Sequence, residues 1–302
     1  MAKSIYFILF LIWSLFIGIS CNNNATEEYR PTFSEKEFNK TKEYIFGVHP
    51  LHNPKRLQEI FGPIIDYLTD EIPNASFRLE ASRNYAAYDK KLYEGKFHFA
   101  LPNPYQTVNS LKFGYRVFGK MGDDENFCGI IIVRKDGNIR EVKDLKGKAV
   151  SFPAPTALAA TMMPQYYMQS YGLNVMKDIE IKYVGSQESS IMNVYLGNTV
   201  AGSSWPPPWR ALIKERPELA EALEIKWTTE PLLNNGLVVR ADIPDELVKQ
   251  VADILFNLHK HEKGKRWLKR MELSKFEQAD NQTYEIVHEF LKKFNSEVRK
   301  ID

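Results

Sequence analysis

Segments typical of strands and helices alternate along this 302-residue chain from about residue 43 onward, which constrains its fold more than any other feature. KEYIFGVHP, SFRLEA and FHFALPNP have the composition of strands. Between them, residues 54–72 place apolar side chains on one helical face, and residues 84–96 form a second helical segment that ends at Gly95. This order predicts an α/β lobe with a largely parallel sheet.

The same alternation repeats in the second half of the chain, so the sequence predicts two α/β lobes of similar size. We assign residues 43–127 and 236–302 to lobe 1 and residues 128–235 to lobe 2. The chain is expected to cross between them near residues 125–135 and 228–238. Ligands of such folds bind at the carboxyl ends of strands, in the cleft between lobes.

The N-terminus has the pattern of an export signal. Lys3 precedes an uncharged apolar run over residues 5–19, and small residues then lead to Cys21. The run is short for a membrane span, and a cysteine at the cleavage position is typical of bacterial lipoproteins. We predict a lipoprotein signal peptide over residues 1–20, lipidation of Cys21, and a flexible polar tether over residues 21–42. The alternative is an ordinary signal peptide or membrane anchor with an incidental cysteine.

Composition and motifs narrow the functional class. The formal net charge of +2 gives no electrostatic case for nucleic-acid binding. We find no nucleophile–base pair, no glycine-rich phosphate loop and no nucleotide fingerprint, so neither an enzyme nor a cofactor is predicted. His49 and His52 have the spacing HPLH without a cysteine or carboxylate cluster, and no metal site is predicted. We expect a monomer in the cell envelope, lipid-anchored on the periplasmic or extracellular face.

The stretch PAPTALAATMMP, residues 153–164, follows the predicted strand AVSF and begins a predicted helix from about Thr156 to Tyr171. The free N–H groups and the dipole of a helix start favour an anion. Such a site usually adds Ser or Thr hydroxyls. Thr156 is followed here by an Ala-Leu-Ala-Ala run, so the helix start offers few side-chain donors.

Several segments together resemble the phosphonate/phosphite/phosphate-binding receptors of ABC importers. They are FGVHP, ASRNYAAYDKKLYEGKFHFALPNPY, IIIVRKDGNIREVKDLKGKAVSFPAP, MMPQYYMQSYG and YVGSQESSIMNVYLGN. The similarity covers roughly residues 43–275, and VRKD…VKDLKGK…P with the following helix is its most specific part. The resemblance implies the two-lobed α/β fold of type 2 periplasmic binding proteins, a small-molecule ligand and an ABC permease as the membrane partner.

The resemblance implies ligand contacts at particular positions. Tyr85 matches a tyrosine that opens a helix of the first lobe and reaches the ligand. Phe127 stands where the family typically has a second aromatic hydroxyl. The Ser-Thr-Ser phosphate cradle of the family falls on Ala157, Leu158 and Ala159.

Further departures follow in the second lobe. Gln187 replaces the histidine of the family's Gly-Ser-His-Glu turn, while Glu188 remains. TVAGSSWPPPW, with Ser204 and Trp205, replaces the segment where the family has an aspartate. Thr156 and backbone N–H groups are the donors left at the cradle. The scaffold therefore keeps the family's pattern while most of the phosphonate-binding side chains are replaced, and we expect a smaller, less charged or more apolar ligand.

Other interpretations of the same residues stay open. Trp205 and Trp209 bracket three prolines and form either a rigid aromatic wall for the ligand or an apolar plug between the lobes. Glu188 either contacts the ligand or caps the helix that starts near Ser189. The thiol of Cys128 either faces the cleft, where it would suit a trivalent metalloid, or is buried and inert.

Two functions share the binding step. In the first, a membrane-tethered extracytoplasmic receptor captures a small polar solute or an oxyanion and delivers it to an ABC permease. In the second, a sensory lipoprotein with the same fold presents its liganded form to a membrane histidine kinase, for example in response to a metalloid oxyanion. The two hypotheses differ in the membrane partner and not in the cleft.

Overall fold

The structure is a computed structural model that describes residues 41–301. The predicted signal peptide, the lipidation site Cys21 and nearly all of the predicted tether lie outside the described residues. Within residues 41–301, no helix combines the length and the apolar character that a membrane crossing requires.

Strands and helices alternate in the first part of the chain, as predicted. Each of its three helices begins after an asparagine whose side-chain oxygen accepts a hydrogen bond from the first turn: Asn53, Asn84 and Asn103. In chain order the elements are β1 (Lys42–Val48), α1 (Pro54–Glu71), β2 (Ala75–Ala81), α2 (Tyr85–Tyr93), β3 (Phe99–Leu101), α3 (Pro104–Ser110) and β4 (Tyr115–Met121).

The middle part of the chain repeats the alternation. One π turn, Leu158–Met162, precedes α4. The elements are β5 (Ile130–Arg134), β6 (Lys148–Phe152), α4 (Met163–Ser170), α5 (Val175–Asp178), β7 (Ile179–Tyr183), α6 (Gln187–Tyr195), β8 (Ala201–Ser204), α7 (Pro206–Glu215), α8 (Pro217–Ala222) and β9 (Leu223–Thr228).

The last part of the chain is mainly helical. Its elements are β10 (Gly236–Arg240), α9 (Asp245–Asn257), α10 (Glu262–Met271), β11 (Phe276–Glu277) and α11 (Glu285–Glu297). Short 3-10 turns occur along the chain at Leu111–Phe113, Asp124–Asn126, Val142–Leu145, Leu258–Lys260 and Gln282–Tyr284.

The strands form two sheets, which confirms the predicted two-lobed α/β architecture. A six-stranded sheet has the order β11-β4-β10-β3-β1-β2, and a five-stranded sheet has the order β7-β6-β8-β5-β9. Both sheets are mixed and not largely parallel. The strands that enter a sheet directly after the chain has crossed, β5 and β10, run antiparallel to both of their neighbours.

The chain crosses between the two sheets twice, over residues 122–129 and 229–235. Lobe 1 denotes below the part that carries the six-stranded sheet, and lobe 2 the part that carries the five-stranded sheet. The residue-level boundaries between the lobes stay a prediction. These two segments join the lobes, and the cleft lies between the lobe that carries one sheet and the lobe that carries the other.

Apolar packing continues from lobe 1 into lobe 2. The large cluster around the six-stranded sheet also contains Leu158, Met162 and Trp205 of lobe 2. The five-stranded sheet has a smaller cluster on each face, because successive side chains of a strand point to opposite faces. On β5, Ile131 packs in one of these clusters and Ile130 in the other.

Candidate ligand-binding site

A small cavity lies between the two lobes, where strand ends and helix starts of both lobes meet. Tyr85 begins α2 and Gln187 begins α6, each directly after a residue whose side chain caps the helix. Seven of the ten side chains predicted to contact a ligand line this cavity: Tyr85, Phe127, Ala157, Leu158, Ala159, Gln187 and Trp205. Strand-to-helix turns of both lobes therefore position its polar and apolar walls.

The cavity is nearly filled in this conformation. Its free volume is about 10 Å³, which is room for about one water molecule. Phe127 and Trp205 form part of its wall, with ring centroids 5.4 Å apart in an edge-to-face arrangement. Leu158 is 1% exposed and packs in the apolar cluster that spans both lobes. A ligand larger than water therefore requires the lobes to part slightly around it.

The helix start that carries the predicted cradle is irregular. Helical structure begins at Leu158 with the π turn and continues into α4, whereas the sequence predicted a start near Thr156. The N–H of Ala157 donates to Ala154 O at 3.2 Å. The first N–H groups of a helix have no partner within it, so the turn presents backbone donors from Leu158 onward. The side chains of Ala157, Leu158 and Ala159 add no hydroxyl.

A chain of hydrogen bonds crosses the cleft behind the cavity. Ser204 Oγ donates to Gln187 Oε1 at 3.1 Å, and Gln187 Nε2 donates to the Tyr85 hydroxyl oxygen at 3.3 Å. Ser204 is buried but does not line the cavity. Burial raises the pKa of Tyr85, so its hydroxyl keeps its proton at neutral pH. That proton remains available for a ligand because the oxygen serves as the acceptor for Gln187.

Thr156 lies beside the cavity and joins the lobes. Its hydroxyl donates to Asp89 Oδ2 at 3.2 Å, and its carbonyl accepts from Asn103 Nδ2 at 2.9 Å. Burial raises the pKa of Asp89 to about 6, against the opposing effect of hydrogen bonds from Gln106 and Thr156. The Thr156 side chain is therefore committed to a lobe 1 carboxyl, and its predicted ligand contact stays a prediction.

Glu188 lies at the mouth of the cleft. Its carboxylate is 3.3 Å from Asn53 Nδ2 and 3.9 Å from a guanidinium nitrogen of Arg56. Arg56 also pairs with Glu215. All of these contacts join lobe 1 to lobe 2, so Glu188 contributes to a set of polar contacts that favours the closed cleft. Exposed pairs of this kind contribute little individually.

Two other residues that the sequence analysis considered, Trp209 and Cys128, do not line the cavity. Trp209 packs with Ile130 and Ile132 in a lobe 2 cluster, so Trp205 is the indole that forms a wall. Cys128 is 7% exposed and does not line the cavity, and burial raises the pKa of its thiol. Within residues 41–301, no group of three or more His, Cys, Asp or Glu side chains has the arrangement of a metal site.

Four lining residues were not among the predicted ligand contacts: His49, Asn103, Ala160 and Asn235. His49 directly follows β1, a position where ligand-binding residues of α/β folds are common. Asn103 in LPNP occupies the same kind of strand-to-helix turn. Asn235 precedes Gly236 at the end of the second crossing and carries no recognisable sequence signal, because only the tertiary structure brings it to the cleft.

His49 is a neutral side chain in the cavity wall. Its Nδ1 lies 2.9 Å from Leu101 O. A carbonyl can only accept, so Nδ1 carries the proton and Nε2 is left with a lone pair. Burial lowers the pKa of His49 to about 4, partly offset by this hydrogen bond. The imidazole is therefore an acceptor, not a cation, at neutral pH.

The burial of His49 predicts a measurable pH dependence of stability. Because its pKa falls from 6.5 when unfolded to about 4 when folded, its contribution is complete above pH 6.5 and is lost as the pH falls toward 4. The difference corresponds to about 3 kcal/mol at most. Asp89 acts in the opposite sense, since its raised pKa strengthens folding on acidification. We therefore expect a smaller loss of unfolding free energy between pH 6.5 and 4 in His49→Gln than in wild type, measured by urea unfolding. Parallel curves would contradict this assignment.

Comparison with known families agrees with the geometry. A family model described as the periplasmic substrate-binding protein of the phosphonate ABC transporter matches residues 46–284. No curated protein matches the chain.

Solved structures show the same fold at low sequence identity. A binding protein component of an ABC phosphonate transporter from Pseudomonas aeruginosa has a TM-score of 0.76 at 17% identity, over 83% of this chain and 86% of the other. PhnD1 from Prochlorococcus marinus, solved with methylphosphonate, has a TM-score of 0.76 at 20% identity, over 84% and 99%. The aliphatic sulphonate binding protein SsuA from Escherichia coli has a TM-score of 0.56 at 12% identity, over 86% and 92%.

Proposed function

Because the chain belongs to the family of periplasmic substrate-binding proteins of phosphonate ABC transporters, we propose that it is the membrane-tethered extracytoplasmic receptor of an ABC importer. It captures a small polar solute or oxyanion between its lobes and delivers it to the permease. The family is a substrate-binding component of a transporter, and we propose no catalytic role for any of residues 41–301. The proposed location is the outer face of the membrane, with lipidated Cys21 as the anchor.

One observation carries the proposal. Side chains from both lobes converge on a single buried cavity, and Tyr85 of lobe 1 is joined there to Gln187 of lobe 2 by a 3.3 Å hydrogen bond. A ligand held between these two side chains contacts both lobes and stabilises the closed state. Closure of this kind gives the loaded form of a two-lobed receptor a different conformation from its free form.

The altered cradle supports a ligand other than a tightly held phosphonate. Ala157, Leu158 and Ala159 have no hydroxyl, and Phe127 has none either. Each charge-assisted hydrogen bond that is missing weakens binding of an oxyanion by about 1.5–3 kcal/mol. Loss of two such bonds reduces affinity by about a hundredfold or more.

The receptor function predicts ligand-dependent stabilisation that requires Tyr85. We propose a thermal-shift screen of the purified protein with phosphate, phosphite, methylphosphonate, sulfate, arsenite, and small amines and carboxylates. A ligand at one hundred times its Kd is expected to add about 2.7 kcal/mol of stability. Tyr85→Phe should weaken that ligand by about 1 kcal/mol, since one hydroxyl hydrogen bond is lost. A shift that is identical in wild type and Tyr85→Phe would argue against this cavity as the site.

The tether proposal makes a separate prediction. Cys21→Ala should leave the protein unprocessed or release it from the membrane, because the lipid would have no attachment site. Fractionation of cells that express wild type and Cys21→Ala, followed by mass measurement of the N-terminus, checks this. Cys128→Ala is the matched control and should leave membrane attachment unchanged. Equal membrane attachment of Cys21→Ala and wild type would contradict the lipoprotein assignment.

A further inference from the structure

The cavity is lined by polar side chains that carry no charge. Within residues 41–301, the lining includes no Lys, Arg, Asp or Glu. Its polar side chains are those of His49, Tyr85, Asn103, Gln187 and Asn235. An ion transferred into such surroundings loses its hydration without gaining an opposite charge, which is costly in a low-dielectric interior.

The amide oxygen of Asn235 is a buried acceptor without a partner. Asn235 is fully buried, and its Oδ1 forms no hydrogen bond with any described residue. Its Nδ2 is 3.3 Å from the sulfur of Met121. A rotated amide would place the oxygen against this sulfur, which is no donor, so the observed orientation is the more favourable one. An unpaired buried acceptor requires a donor from the ligand or from water.

His49 supplies a second acceptor. Its Nδ1–H is used by Leu101 O at 2.9 Å, and its Nε2 forms no hydrogen bond within the described part of the chain. The cavity therefore has two acceptors that lack a donor. One belongs to lobe 1 and the other to the adjoining crossing segment. An oxyanion that carries only acceptor oxygens leaves both acceptors unpaired and places its lone pairs against theirs.

Donors are present as well. The Tyr85 hydroxyl accepts from Gln187, so its own hydrogen is free. Asn103 Nδ2 uses one of its two hydrogens for Thr156 O at 2.9 Å. A ligand that fits this arrangement must accept hydrogen bonds at one atom and donate them at others.

We infer that the ligand of the proposed receptor is a small uncharged molecule with at least two donor hydrogens and one accepting oxygen, such as a primary amide, a urea or boric acid. This assignment rests on the proposed function and specifies its substrate class. The donor hydrogens bond to Asn235 Oδ1 and His49 Nε2, and the oxygen accepts from Tyr85. The free volume of about 10 Å³ favours a molecule of few heavy atoms.

Pairs of probes with equal shape and different donors test the inference. Acetamide and acetate differ in charge and donor hydrogens while their heavy atoms superpose, and formamide and formate form a smaller pair. Urea, boric acid and methylphosphonate complete the set. Calorimetric titration of the wild-type protein is expected to detect at least one uncharged probe. Acetate and formate should each bind at least tenfold more weakly than their uncharged partners.

Substitution of Asn235 tests whether the preference for uncharged probes arises in this cavity. Asn235→Leu, which keeps the number and branching of the side-chain heavy atoms, should weaken the uncharged probe about tenfold or more. Asn109→Leu is the matched control, since Asn109 is partly buried on α3 and does not line the cavity. If Asn235→Leu does not fold, His49→Phe removes the second acceptor and is expected to weaken the same probe.

The outcomes separate this inference from the receptor function. Anions that bind as tightly as their uncharged partners overturn the substrate class, and so does the absence of binding by every uncharged probe. If such an anion depends on Tyr85, the receptor function stands while the inference fails. If uncharged probes bind equally to wild type, Asn235→Leu and Tyr85→Phe, both fail, because the binding site is then elsewhere.

Discussion

Replacement of Ala157, Leu158 and Ala159 by serine, threonine and serine is expected to raise the affinity for methylphosphonate by about a hundredfold or more. The three side chains line the cavity and lie at the start of the helical segment that the resemblance identifies as a phosphate cradle. New hydroxyls would donate charge-assisted hydrogen bonds to phosphonate oxygens, in addition to the backbone N–H groups already there. Calorimetric titration of wild type and variant measures the gain.

A control variant distinguishes the effect of hydroxyls in the cradle from the effect of hydroxyls added elsewhere in the protein. Ala220→Ser, Ala222→Ser and Leu196→Thr together make the same changes away from the cavity and should not alter phosphonate affinity. Since Leu158 is buried, threonine there also lowers stability, and Ala157→Ser with Ala159→Ser alone keeps that packing intact. Unchanged phosphonate affinity in both cradle variants would mean that this helix start is not the cradle.

Trp205→Ala is expected to lower the free energy of unfolding by about 3–5 kcal/mol and also to change ligand binding. The Trp205 indole is 5% exposed, contacts Phe127 edge to face and belongs to the apolar cluster that spans both lobes. Its removal enlarges a cavity that now has room for about one water molecule. Chemical unfolding measures the first effect, and titration with any ligand found in the screen measures the second.

Trp209→Ala provides a matched comparison for the second effect. Trp209 is 7% exposed and lies in the same proline-rich segment, but it packs in a separate cluster of lobe 2. Both variants should lose comparable stability, while only Trp205→Ala should alter ligand affinity. If the two variants change affinity equally, Trp205 acts through the stability of the lobe and not as a wall of the site.

The sequence predicted the architecture because the architecture depends on local patterns. Alternation of strands and amphipathic helices was sufficient to predict two α/β lobes, and the resemblance to the receptor family was what placed Tyr85 and Gln187 at ligand-contact positions. Strand direction was less predictable, because the antiparallel placement of β5 and β10 follows from where the chain re-enters a sheet after crossing.

Side-chain direction limited the prediction of the site. Gln187 and Glu188 are adjacent, yet neighbouring residues of a helix point about 100° apart. Gln187 therefore faces the cavity, whereas Glu188 reaches Asn53 and Arg56 at the cleft mouth. The sequence did not indicate Asn235 as a lining residue. Its position depends on a contact between the crossing segment and the cleft, which no local sequence pattern encodes.

The most direct test of the retuned site is a calorimetric titration of the wild-type protein with methylphosphonate. The missing hydroxyls and the unpaired acceptor of Asn235 predict a Kd for methylphosphonate of about 1 mM or weaker. Tyr85→Phe should leave this Kd unchanged. Binding at about 1 μM or tighter that is weakened by Tyr85→Phe would contradict the account, because it would show that backbone donors and Tyr85 suffice to hold a phosphonate in this cavity.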